Sequence, residues 1–262
     1  MSHYVKPVLT VGARIIACYF AWMRKFAKHP EKYPFEYRYK KVRNLLMRLS
    51  DSFNVEYHVE GLENLPKGKY CLVSNHLSAY DPLSLICVLE EPCTFVSKKE
   101  LRKAPFAGKV IAGIDGLFID RKDIKQSLRI MMAVENDLKS DSHKNWIIYP
   151  EGTRNKDVMK NMMMFHHGTF RPASKAGVPI VPVATYGTFR VLKGSPDFKK
   201  FPVYIKFLKP LYPEDYKDMS TIEIANKVHD DIQREIDFNL RIKDHQEMKK
   251  IGNKHYKFNQ IL

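Results

Sequence analysis

His76 and Asp81 stand five residues apart in Asn75-His76-Leu77-Ser78-Ala79-Tyr80-Asp81-Pro82, directly after the apolar run Tyr70-Cys71-Leu72-Val73-Ser74. A carboxylate bonded to one imidazole nitrogen fixes the tautomer and supports the cation formed when the other nitrogen takes a proton. On a regular helix this spacing would set the two side chains about 140° apart, whereas a tight turn lets them touch. Asp81 before Pro82 has the form of an N-cap followed by the first helical residue. The pair therefore reads either as a base with its orienting carboxylate or as a helix cap beside an unrelated histidine.

Further polar groups close other apolar runs. Gly116-Leu117-Phe118-Ile119-Asp120-Arg121 and Tyr149-Pro150-Glu151-Gly152-Thr153-Arg154 each end in an arginine, and Lys98 closes Phe95-Val96-Ser97-Lys98. Arginine's planar fork can bind phosphate oxygens bidentately, so Arg121 and Arg154 suit a phosphorylated ligand. A surface ion pair with Asp115, Asp120 or Asp123 is the alternative for both, and a solvated surface position is the alternative for Lys98. Val178-Pro179-Ile180-Val181-Pro182-Val183 is a proline-flanked apolar run that follows a helical stretch.

The elements that must hold these groups follow from the alternation of short apolar runs and helical stretches after residue 54. The pattern predicts strands at 55–59, 70–74, 94–97, 116–119, 146–149, 180–184 and 203–207. It predicts helices at 82–89, 104–112, 123–138, 168–176 and 221–239. Such alternation argues for an α/β domain around a largely parallel sheet, with polar clusters at the carboxyl ends of strands, where open α/β sheets place their sites.

Taken in order and at these distances, the segments resemble the four motif blocks of the glycerolipid acyltransferases, most closely the bacterial 1-acyl-sn-glycerol-3-phosphate acyltransferases. The family's blocks read N-H-x-x-x-x-D, G-x-x-F-I-x-R, F-P-E-G-T-R and a proline-flanked apolar strand. This chain departs in Tyr149, where the third block usually has Phe. The likeness covers roughly residues 70–184 and, more loosely, 55–211.

The resemblance implies a glycerolipid-acyltransferase-like α/β fold and an enzyme of phospholipid biosynthesis. It implies transfer of a fatty acyl group from acyl-CoA or acyl carrier protein to the free hydroxyl of lysophosphatidic acid, giving phosphatidic acid. It also implies no acyl-enzyme intermediate, no cofactor and no metal. On that resemblance His76 is the catalytic base and Asp81 orients it, while Gly116, Arg121, Glu151, Gly152, Thr153 and Arg154 serve acceptor binding. Lys98 resembles the lysine of an A-K-x-x-L element between the first two blocks. Glycerol 3-phosphate or another lysophospholipid is the alternative acceptor, and a catalytically silent lipid-binding relative is the alternative to an enzyme.

Residue chemistry is consistent with this reading. An alcohol is a poor nucleophile near neutral pH, and a positioned base accelerates its attack by about 10²- to 10⁴-fold. Glu151 is expected to hold an arginine or a glycerol hydroxyl, and the Gly152 N–H to donate to the thioester oxyanion. Ser78 is assigned to the turn, because no G-x-S-x-G elbow surrounds it. His166 and His167 lack a carboxylate at metal-ligand spacing.

With 44 Lys and Arg against 29 Asp and Glu, the 262-residue chain carries +15 and calls for an anionic partner. Residues 1–50 hold eleven Lys or Arg and two Glu, or +9 of that total. Leu9, Ile15, Ile16, Tyr19, Phe20, Trp22, Met23 and Phe26 surround a narrow stripe of Arg14, Ala17, Ala21, Lys25 and Lys28. A second apolar and basic stretch contains Tyr37, Leu45, Leu46, Leu49 and Phe53 with Arg38, Lys40, Lys41, Arg43 and Arg48. The expectation is an amphipathic helical hairpin over 1–53 preceding an acyltransferase domain over 54–262. It would dock the protein, peripheral or monotopic, on an anionic membrane surface at the cytoplasmic face. A hairpin packed on the main domain with solvated lysines is the alternative. No nucleic-acid motif accompanies the charge, so nucleic acid is not an expected partner. Cysteines 18, 71, 87 and 93 show no C-x-x-C spacing and read as reduced thiols.

Overall fold

Seven apolar runs pair into one sheet in the computed structural model, which describes residues 12–13, 15–158, 160–192 and 200–251. The strands are β1 (Val55–Glu60), β2 (Cys71–Ser74), β3 (Cys93–Lys98), β4 (Leu117–Ile119), β5 (Asn145–Ile148), β6 (Ile180–Tyr186) and β7 (Phe201–Phe207). Their spatial order is β1-β7-β6-β2-β5-β3-β4. From β6 to β4 all neighbours are parallel, whereas β7 runs antiparallel to β6 and carries β1 parallel to itself. The expected largely parallel α/β sheet is therefore present, with a reversed pair at one edge.

Strands β2, β5 and β6 are buried along their whole length, as strands covered on both faces must be. Their side chains alternate between two cores: Leu72 and Ile147 join one, and Cys71, Val73, Trp146 and Ile148 join the other. Pro182 sits in β6 one residue before the β7 ladder begins at Val183, so its missing N–H costs no ladder bond.

The helices are α1 (Arg24–Lys28), α2 (Phe35–Ser52), α3 (Asp81–Val88), α4 (Ala107–Gly113), α5 (Ile124–Lys139), α6 (Arg171–Ala176), α7 (Thr188–Val191), α8 (Pro213–Tyr216), α9 (Thr221–Glu235) and α10 (Arg241–Lys250). A π-turn over Ile236–Leu240 joins α9 to α10, where the sequence pattern ends the helix at 239. The first core lies under the turn Tyr19–Met23, α2, α3 and α4, and the second under α5, α9 and the Ile236–Leu240 turn.

The N-terminal helices differ from expectation in what their apolar faces cover. Met23, Phe26, Tyr39, Val42, Leu45 and Leu46 are all buried, and all but Phe26 belong to the core cluster that contains β2 and β7 residues. At roughly 1.5–3 kcal/mol for each large side chain removed from water, this packing holds α2 on the sheet. Arg38, expected among the outward basic residues, is buried. Its guanidinium donates to Asp115 at 2.7 and 2.9 Å and to the Gly113 carbonyl at 2.7 Å. Ile16 and Phe20 remain exposed, with Arg24 over the Phe20 ring. Leu9 and Arg14 lie outside the described residues. No helix among the described residues is long and apolar enough to cross a membrane.

Candidate functional site

Because β6, β2, β5, β3 and β4 are parallel, the segments that follow their last residues meet at one edge of the sheet. Asn75 fixes the exit from β2: its amide donates to the Thr185 carbonyl at 2.9 Å and accepts the Thr185 N–H at 2.8 Å. His76 is then gripped at its backbone on both sides. Its N–H donates to Glu151 Oε1 at 2.6 Å, and its carbonyl accepts the Asn155 N–H at 2.7 Å.

The side chain of His76 turns back onto Asp81, with Nδ1 and Oδ2 2.7 Å apart. The same Oδ2 accepts the Leu77 and Ser78 N–H groups at 2.7 and 2.8 Å, and Oδ1 accepts the Thr188 hydroxyl. An oxygen serving as acceptor to two amides requires the proton on Nδ1, which leaves the lone pair on Nε2. Asp81 is fully shielded while the His76 side chain keeps 14% of its exposure, so the carboxylate acts only through the imidazole. The Tyr149 ring supports the imidazole at a centroid distance of 4.5 Å.

One local expectation changes here. Asp81 is the first residue of α3 and Tyr80 is its N-cap. The carboxylate reaches back to close the loop, because three donors from His76, Leu77 and Ser78 converge on it. Ser78 uses its hydroxyl to accept the Tyr80 N–H at 3.1 Å, in agreement with its assignment to the turn.

The segment after β5 underpins the histidine. Glu151 is buried and joins two loops, accepting the His76 N–H on one oxygen and the Met163 N–H, at 3.1 Å, on the other. No arginine pairs with it among the described residues. In the structure it braces the His76 backbone.

Gly152 is the next residue. Its N–H donates to the Tyr149 carbonyl at 3.1 Å and is not free for an oxyanion. Glycine is needed because φ is +67° and an added Cβ would come within 3.0 Å of the His166 ring. Thr153 and Arg154 follow, both exposed.

Burial pushes the Glu151 carboxyl up to about 7, against the pull of its two amide donors. Between its ordinary value of 4.5 and about 7 the folded protein holds a proton that the unfolded chain has released. Stability is therefore expected to fall as pH rises through that window. Urea unfolding of wild type at pH 5 and pH 7.5 is expected to show a loss of a few kcal/mol that Glu151→Gln does not share. Parallel pH dependence in the two proteins would contradict this.

Arg121 lies two residues beyond β4, and Lys98 ends the neighbouring β3, where it is paired in register with Ile119. The aspartates nearest Arg121 in sequence are engaged elsewhere. Asp115 pairs with Arg38 and Lys144, Asp120 with Lys99, and Asp123 caps α5 through the Gln126 N–H. Neither Arg121 nor Arg154 has an ion-pair partner among the described residues. Partial burial lowers the Arg121 guanidinium below its ordinary value; the charge of Glu100 opposes this, and the like charge of Arg154 adds a smaller push downward. Arg121 and Arg154 are near enough to interact, and cations without an ion-pair partner among the described residues suit an anionic ligand. Lys98 is exposed at the same edge. Gly116 is buried, and an added Cβ would meet Ile111 at 2.5 Å, so glycine is needed for the close packing before β4.

Comparison with known proteins converges on one group. Residues 56–186 match the family described as Acyltransferase. The chain is 30% identical over 196 residues to 1-acyl-sn-glycerol-3-phosphate acyltransferase of Saccharomyces cerevisiae, covering 72% of this chain and 64% of that one. It is 31% identical over 192 residues to the alpha form of the enzyme of that name from Ovis aries, covering 71% and 65%. The chain thus spans less than two thirds of the length of these relatives. The crystal structure of the 1-acyl-sn-glycerophosphate (LPA) acyltransferase from Thermotoga maritima is similar with a TM-score of 0.66 and 26% identity, covering 87% of this chain and 89% of that one.

Proposed function

The chain belongs to the acyltransferase family, and from that premise we propose that it transfers a fatty acyl group from an acyl thioester to the free hydroxyl of 1-acyl-sn-glycerol 3-phosphate, forming phosphatidic acid. The observation that carries the reading is the His76–Asp81 contact with Nε2 left open, at the same sheet edge as the unpaired Arg121 and Arg154. The names of the yeast, sheep and Thermotoga relatives support the same acceptor.

In the proposed reaction Nε2 of His76 takes the hydroxyl proton as the acceptor oxygen attacks the thioester carbonyl. The new C–O bond forms, the C–S bond breaks, and the proton passes from Nε2 to the departing sulfur. Asp81 holds the useful tautomer and supports the transient imidazolium. Arg121 and Arg154 bind the acceptor phosphate, with Lys98 beside them. The donor is acyl-CoA or acyl carrier protein, and a basic surface suits both. Exposed Ile16, Phe20 and Arg24, with the neighbouring lysines, are the part of the N-terminal region that touches an anionic membrane surface.

Arg121→Ala and Arg154→Ala are each expected to raise KM for the phosphorylated acceptor roughly 10-fold or more, with KM for the acyl donor little changed. Equal effects on both substrates would remove the arginines from the acceptor site. The reading itself is tested with one labelled acyl thioester and a panel of lysophosphatidic acid, glycerol 3-phosphate and other lysophospholipids. The highest kcat/KM is expected for lysophosphatidic acid; a higher value for any other acceptor would replace it as the substrate.

A further inference from the structure

Three large apolar side chains of α5 face outward: Ile124 is 83% exposed, Leu128 52% and Met132 47%. Their four-residue spacing keeps them within an arc of about 80° and makes a row about 12 Å long. The inward face of the same helix, with Val134 and Leu138, is already spent on the second core. Lys122, Lys125 and Arg129 are exposed alongside the row. Acidic charge is held apart: Asp123 caps the helix, and Glu135 pairs with Lys139 and Arg171 towards its far end. Isolated apolar residues are ordinary on a protein surface, whereas a contiguous row with a basic flank matches an interfacial helix.

The position of the row gives it meaning. Ile124 stands three residues beyond Arg121, at the carboxyl edge of the sheet, and α5 descends from there along the second core. On the opposite face, Gly113 at the end of α4 lies 3.5 Å under the Phe26 Cβ, measured from an added Cβ. Lys109, near the start of α4, borders a shallow hollow with Phe20, Arg24 and Lys28. The hollow places exposed Phe20 beside the start of α4, towards the same edge of the sheet. The site mouth lies between two apolar and basic surfaces carried by opposite faces of the fold.

We infer that the Ile124–Leu128–Met132 face of α5 is a bilayer-docking surface that binds an anionic leaflet together with the Ile16 and Phe20 side. A convex row flanked by cations fits a flat, negatively charged lipid surface better than it fits a groove or a peptide. The consequence for catalysis rests on the proposed bilayer acceptor, because a mouth seated from both sides receives a lipid headgroup without moving its chain through water.

The test uses the full chain and vesicles of phosphatidylcholine with or without phosphatidylglycerol, with no substrate present. Ile124→Ser/Leu128→Ser/Met132→Ser is expected to reduce partition onto anionic vesicles about 10-fold or more, since the removed surface is apolar and outward. Lys125→Glu/Arg129→Glu is expected to reduce it on anionic vesicles only. Both variants keep wild-type turnover of a short-chain, water-soluble acceptor. Wild-type partition by the triple variant overturns the inference. A defect confined to carrier-protein-bound donor, or a changed oligomeric state with partition intact, also overturns it and assigns the face to a protein partner. Sedimentation without substrate reads docking whichever acceptor the enzyme uses.

Discussion

His76→Ala is expected to lower kcat by about 10²- to 10⁴-fold while the protein stays folded. The imidazole is partly exposed, so its loss opens little cavity, and the backbone bonds that hold residue 76 to Glu151 and Asn155 do not involve its side chain. KM values for donor and acceptor are expected to change much less than kcat, because Nε2 acts on a proton that moves only in the transition state. Circular dichroism and thermal unfolding would establish that the variant is native. Turnover near the wild-type rate by that native variant would remove His76 as the base.

Asp81 is the second position with a large expected effect, and there stability and activity move together. Four donors converge on its carboxylate from His76, Leu77, Ser78 and Thr188, and it is completely buried. Asp81→Ala strands those donors at a cost of about 1–3 kcal/mol each where they stay buried, a large part of a typical 5–15 kcal/mol of folding stability. A much lower Tm and no measurable transfer are expected.

Asp81→Asn separates the two effects. Its amide oxygen can replace Oδ2 for the three loop donors while its NH2 group donates to the Thr188 hydroxyl, which can reverse its own bond. Histidine then keeps the useful tautomer and loses only the carboxylate's support of the cation. The Asn variant is expected to fold and to lose less activity than His76→Ala. Adding Thr188→Val removes the acceptor that orients the amide, and the residual activity is expected to fall further. An unchanged rate on adding Thr188→Val would show that Thr188 does not set the orientation of residue 81.

What could be read beforehand follows from how local each signal is. His76 and Asp81 were legible because a five-residue turn brings them together and a proline marks the helix start. Each of the seven strands was legible as a short apolar run. The reversal at β7 and β1 was not, since the direction of pairing depends on a partner remote in sequence. Glu151 was found as part of a motif, but its bracing of the His76 backbone was not foreseen. Its partners are backbone amides 75 and 12 residues away, and a backbone donor leaves no trace in residue type.

Thr188, 107 residues from Asp81, was missed for a similar reason: a single hydroxyl has no spacing pattern to announce it. Gly152 and Gly116 illustrate a third limit. Glycine signals a close approach without saying what approaches, and here the neighbours are His166 and Ile111 within the fold. An apolar helix face likewise does not say what covers it. Leu45 and Leu46 meet the core, while Ile124 and Leu128 on α5 face outward.

The most direct test of direct acyl transfer to a lipid hydroxyl follows both products in one reaction. Purified full-length protein is mixed with a labelled acyl thioester, with and without lysophosphatidic acid, and free thiol and phosphatidic acid are measured together with the intact protein mass. The account predicts thiol release only when the acceptor is present, one phosphatidic acid for each thiol, and no acyl adduct on the protein. Thiol release without acceptor at the same rate, or an acyl group retained on the protein, would contradict it.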